Sequence, residues 1–196
     1  MFSAYTEVFF MQRKRKTDTR RLTITAMMIA LSVVFERLLP LIDAPEMRLS
    51  LGNVPIFLTS IAVSPVYGAV CGFAADFVGC LIKGYAPNPF LMLAPVLTGI
   101  LPYYALRLLS GVLHKDMPHP LSIALTVAFT NIISGALVTT LGLSLLYGNP
   151  FLVVLVPRLA TITLGIAVDA ACLYLILKSG VLSRILKNER NGKIEH

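Results

Sequence analysis

The side chains able to do chemistry in this chain are few, and they sit in or beside long apolar runs: Glu36, Arg37, Arg48, Asn53, Asp76, Asn88 and Arg158. Their types suit binding. A carboxylate accepts two parallel N–H bonds from a planar polar edge, and an arginine fork does the same in reverse for a carboxylate. Asp76 is the most telling, because it is the single carboxylate in the apolar run 66–82. On insertion scales an aspartate in hydrocarbon costs about 2.5–3.5 kcal/mol, so an intramembrane acid calls for a functional reason. The loop KGYAPNP at 83–89 follows directly, with glycine, proline and asparagine suited to a fixed, non-helical backbone. A buried acid beneath such a loop has the form of a small-molecule pocket and its cover.

Catalysis is a poorer fit. The sequence contains no HExxH, GxSxG or GxxxxGK[ST], the anchors of zinc-protease, hydrolase and nucleotide-hydrolysis chemistry. His114 and His119 flank a central polar turn and His196 is terminal, so the commonest general base is missing from the apolar runs. Intramembrane acid pairing would need Asp76 and Asp169, whose depths differ by more than ~10 Å at helical rise. Cys71, Cys80 and Cys172 all fall in apolar runs without CxxC spacing, which gives neither a metal site nor a disulfide framework. The expectation is a binding protein with no catalytic residues, cofactor or metal.

The elements that must position these residues follow from composition. The chain has 196 residues, 56% of them hydrophobic and 14% charged, against about 25% charged in soluble domains. At about 20 residues per spanning helix, the length allows an all-α polytopic membrane protein of six transmembrane helices. The candidate spans are 22–39, 51–63, 66–82, 90–109, 121–146 and 151–177. They form one substrate-binding membrane domain, 22–178, between a basic N-terminal segment, 1–21, and a basic tail, 179–196. Residues 1–10 (MFSAYTEVFF) precede the MQRKRK that starts at Met11, and read as an upstream-start extension or an interfacial tail.

Charge sets the orientation. Arg13, Lys14, Arg15, Lys16, Arg20 and Arg21 precede the first span, and Lys178, Arg184, Lys187, Arg190 and Lys193 follow the last. With six spans these share a side with Lys115, while Arg37, Arg48 and Lys83 face the other. The positive-inside rule then puts both termini in the cytoplasm. The net charge of +7 is accounted for by topology and anionic lipid. Nucleic-acid binding would need a basic folded surface outside the membrane, for which no segment remains.

Depth sorts the polar residues. Asp76 and Arg158 each lie roughly 10 Å below the outer boundary, Glu36 and Arg37 end span one there, and Arg48 and Asn53 open span two. With Asn88 in the outer loop, these converge on one outward-facing, half-buried cavity. Asp169 and Asn131 are expected deeper, toward the cytoplasm. Blander readings exist: Asp76 and Arg158 neutralise each other, and Glu36 and Arg37 snorkel to the interface. Small residues form two stripes, Ala26 with Ala30 in span one, and Gly68, Gly72, Ala75 and Gly79 in span three. Such stripes let helix backbones approach in lipid. The span-three stripe reads as internal packing, and the Ala26–Ala30 pair as a grip for a partner membrane subunit.

These residues carry a resemblance. AMMIA at 26–30, RLSLGNVP at 48–55, SPVYG at 64–68, GFAADFVG at 72–79, LSLLYGNPF at 143–151 and PRL at 157–159 resemble the substrate-binding S components of energy-coupling factor (ECF) vitamin transporters. Within these the folate-type branch is the most similar, and the likeness covers about residues 22–178. It implies a high-affinity vitamin-binding subunit of an importer in the cell membrane of a bacterium. It further implies a transmembrane coupling subunit and two cytoplasmic ATPase subunits as partners, docking on Ala26 and Ala30. Ligand contacts would come from Arg37, Arg48, Asn53, Asp76, Asn88 and Arg158, with Asp76 on a pterin edge and the arginines on glutamate carboxylates. The chain departs from the folate-type pattern at Leu51-Gly52-Asn53, at Thr139 and Gly142, and near Thr161, and it has no Trp. Those departures keep thiamine, pantothenate or riboflavin open as ligands, and a ligand-free membrane scaffold is the different-class alternative.

Overall fold

The computed structural model describes residues 19–38, 42–43, 48–84, 86–113 and 120–179. The expected basic clusters at 13–16 and 184–193, and the turn around Lys115, lie outside them. Helix α1, Thr19–Val33, runs on as a π-helical turn, Val34–Leu38. A minimal antiparallel ladder follows, β1 (Ile42–Asp43) with β2 (Arg48–Leu49), setting Asp43 opposite Arg48. Then come α2, Asn53–Ala62, α3, Pro65–Lys83, and α4, Pro89–Leu113. Helix α5 spans Pro120–Tyr147 with a π-helical middle, Ile132–Thr139, and α6 is Phe151–Lys178. The fold is therefore helical apart from one two-residue ladder among the described residues.

Proline and glycine set the breaks. Pro65 takes the first position of α3, where its missing N–H is not needed. Gly84 ends the same helix at φ 69°, a left-handed cap that suits a residue without Cβ. Asn88 caps α4, its Oδ1 accepting the Phe90 N–H at 3.0 Å.

Four helices, α3 to α6, are long and apolar enough to cross a membrane. Large apolar side chains stand outward along them, for example Val66, Val70, Phe73, Leu145 and Leu152. An outside of this kind needs a hydrocarbon solvent, and the protein is a multi-pass membrane protein. Helix α2 is the exception. All of Val54 to Ile61 are buried, and Val54, Phe57, Leu58 and Ile61 pack against Ile123 and Val127 of α5 and Leu173 of α6. With 10 residues it rises roughly 15 Å, half of a hydrocarbon core about 30 Å thick. The run 51–63 is thus a half-depth helix buried in protein. The span-three stripe is internal, as expected: Gly68, Gly72, Ala75 and Gly79 are all buried. A Cβ on Gly68 would collide with the Gly99 carbonyl oxygen, and one on Gly72 with that of Pro95, so the backbones of α3 and α4 touch.

Candidate functional site

The π-helical turn at the end of α1 places the first group of polar residues. Its wider winding turns Arg37 inward onto α3, where Nη2 lies 3.3 Å from Asp76 Oδ1 and 3.4 Å from Glu36 Oε1. The Arg37 side chain is 7% exposed, against 21% for Asp76 and 29% for Glu36. Gly79 makes this possible, since a Cβ there would sit 2.8 Å from Arg37 Nη2. Arg37 therefore does not snorkel, and the partner of Asp76 is Arg37 rather than Arg158. Nearby, Ser32 Oγ donates to the Gly52 carbonyl at 2.7 Å and ties the start of α2 to α1.

Arg158 sits elsewhere, on α6. Its Nη1 donates to Thr140 Oγ1 at 3.3 Å, and Thr140 is fully buried at the exit of the α5 π segment. Each arginine is thus positioned beside a π-helical distortion, a feature often found at functional sites. Asn88 has its side-chain oxygen committed to the α4 cap, which leaves its amide N–H groups for any ligand. Arg48 is carried by β2, which packs against α6.

A second group lies deeper. Asn53 Nδ2 donates to Asp169 Oδ2 at 3.4 Å, joining the first residue of α2 to α6. Asn131 of α5 lies beside the same carboxylate. Asp169 is 1% exposed. Asp169 Oδ1 and Asn131 Nδ2 are both buried without a hydrogen-bond partner among the described residues. Counting helical rise from the sequence sets Asn53 at the outer face and Asp169 well below it, whereas the hydrogen bond brings them to one level. The signal available in sequence was that Asp169 is the only carboxylate in its own apolar run, 151–177, as Asp76 is in 66–82.

The remaining candidates, Ala26 and Ala30, are exposed on α1, in a row with Leu22, Met27 and Leu31. The opposite face, Thr25, Ser32 and Val33, is buried. One stripe of small residues is therefore spent inside the bundle and the other is open.

A family model described as "ECF transporter, substrate-specific component" matches residues 20–177. The chain belongs to this family. Its members are membrane-embedded, substrate-binding components of transporters rather than enzymes, and they bind vitamins and work with the components of an ECF module. Two solved structures share the fold of this S component. One is the crystal structure of FolT bound with folic acid, 22% identical, with a TM-score of 0.66, covering 81% of this chain and 93% of that one. The other is the S component of a bacterial ECF transporter, 16% identical, with a TM-score of 0.63 and coverage of 86% and 98%. No curated protein sequence matches the chain significantly.

Proposed function

We propose that this S component is the high-affinity vitamin-binding subunit of an ECF-type ABC importer, with folate as its vitamin. The observation that supports the reading is two arginines inside the bundle: Arg37, buried on Asp76 with its Nε unpartnered among the described residues, and Arg158, half-buried on Thr140. Bidentate arginine forks suit carboxylates, and folate presents two on its glutamate. The fold likeness to FolT supports the same ligand. Arg37, Arg48, Asn53, Asp76, Asn88 and Arg158 line the site in this proposal.

The six-helix domain, 22–178, crosses the membrane six times, with α2 and the β1–β2 segment together making the second crossing. Both termini face the cytoplasm of a bacterium, and the basic ends, 1–21 and 179–196, lie against anionic lipid. The exposed Ala26–Ala30 face of α1 docks a transmembrane coupling subunit, which two ATPase subunits drive. A second reading, an S component for thiamine, pantothenate or riboflavin, is favoured by the absence of Trp and by Leu51-Gly52-Asn53. Mass spectrometry of the small molecule that purifies with the protein tests both. A pteridine supports folate, a flavin or thiamine reassigns the ligand, and no bound molecule with no ligand-dependent stabilisation leaves a scaffold, because tight ligands stabilise by RT ln(1 + [L]/Kd).

A further inference from the structure

We infer that Asp169 and Asn131, steadied by Asn53, form the inner end of the ligand site and read a lactam edge, an N–H beside a C=O, on a fused heterocycle. This deepens the vitamin-binding reading and rests on it. Three polar side chains from α2, α5 and α6 meet inside an apolar bundle, where each unmatched polar group is costly. Asn53 satisfies one oxygen of Asp169. The other oxygen is an acceptor without a donor, and Asn131 Nδ2 is a donor without an acceptor. Asn131 is close enough to act on the Asp169 carboxylate, yet neither its Nδ2 nor Asp169 Oδ1 has a partner within hydrogen-bond distance and angle among the described residues. A group that donates to one and accepts from the other completes both, and a lactam does so with two adjacent atoms. Its N–H goes to Asp169 Oδ1 and its C=O takes the Asn131 N–H.

The position fits an elongated ligand. Asp169 lies eleven residues beyond Arg158 on α6, roughly 16 Å along the axis. A molecule with a heterocycle at one end and carboxylates at the other would set its ring at Asp169 and its acid groups at Arg158 and Arg37. Asp76, occupied by Arg37, then holds that arginine in place and leaves ring recognition to the deeper pair.

The test is equilibrium titration of the purified full-length chain with four probes: folic acid, its 2,4-diamino analogue, riboflavin and thiamine. Folic acid and riboflavin carry the lactam edge; the 2,4-diamino pteridine puts an amine where the C=O stood, and thiamine has no lactam. Sites built to hydrogen-bond one polar edge reject its mismatch strongly, so folic acid should bind at least about tenfold tighter than the diamino analogue. Asn131→Ala, which deletes the donor, should bring that ratio close to one. Riboflavin binding in place of folic acid upholds the lactam site and overturns folate. Tightest binding of thiamine, or a wild-type ratio near one, overturns the lactam site while the vitamin-binding reading stands. An unchanged ratio in Asn131→Ala does the same. Should the variant not fold, the wild-type ratio alone decides. No binding of any probe by the folded chain overturns both the lactam site and folate as the vitamin.

Discussion

Arg37 closes an apolar run, a place where a long cation ordinarily stretches its stem and keeps its head in water. Here the head turns into the protein, because Asp76 and Glu36 both offer an oxygen and Gly79 leaves room. Asp76→Asn and Arg158→Ala should each weaken vitamin binding by at least about tenfold, or about 1.4 kcal/mol, while the protein still folds. Unchanged affinity with a lowered melting temperature would give the two residues a purely structural role. Gly79→Ala makes a sharper statement, since its methyl group collides with the Arg37 guanidinium without removing any polar group. We expect it to lose affinity as Arg37→Ala does. Wild-type affinity in Gly79→Ala would separate the Arg37–Asp76 pair from the ligand. That Asp76 and Arg37 need polar partners was legible from their rarity among apolar residues. Their pairing was not, because it depends on how a π-helical turn rotates one residue against a helix 39 positions away.

The helices themselves were written in the apolar runs, and their ends in Pro65, Gly84, Asn88 and Pro150. Two things about them had no sequence signature. A π-helical insertion keeps the composition of the helix around it, so neither Val34–Leu38 nor Ile132–Thr139 disturbs a hydrophobic pattern. Nor does local sequence tell an apolar helix that spans from one buried at half depth; contacts of Phe57 with α5 and α6 decide that. The two small-residue stripes separate cleanly at this scale. Gly68→Leu should abolish folded protein, because its side chain would have to enter the α3–α4 backbone contact. Ala26→Trp or Ala30→Trp adds bulk to an exposed face, and should leave folding yield and ligand affinity near wild type. Complex formation with the coupling subunit, and ATP-driven uptake, should both fall sharply. Pull-down of that subunit beside a ligand titration reads out the difference. Normal uptake by either Trp variant would remove the docking role from α1.

For the molecule as a whole, membrane class and helical architecture follow from 56% hydrophobic and 14% charged residues with little help from any motif, since these numbers leave no soluble core to build. Orientation is the property that composition reaches only through charge. Eleven cations crowd the two ends of the chain, six before the first span and five after the last, against Arg37, Arg48 and Lys83 on the opposite loops. Cations near span ends resist transfer across the membrane, so both ends should stay in the cytoplasm. That requires an even number of crossings, and the half-depth α2 is where the count is vulnerable. If the segment from β1 through α2 returned to the outer face instead of crossing, Lys83 and Lys115 would exchange sides. Single cysteines at these two positions, labelled with a membrane-impermeant maleimide on intact cells, distinguish the cases against the background of Cys71, Cys80 and Cys172. Lys83→Cys should react from outside, and Lys115→Cys only after the membrane is opened. External labelling at 115 but not at 83 would mean that the segment from β1 through α2 does not cross or that the whole protein is inverted, and either outcome removes the six-crossing arrangement with both termini in the cytoplasm.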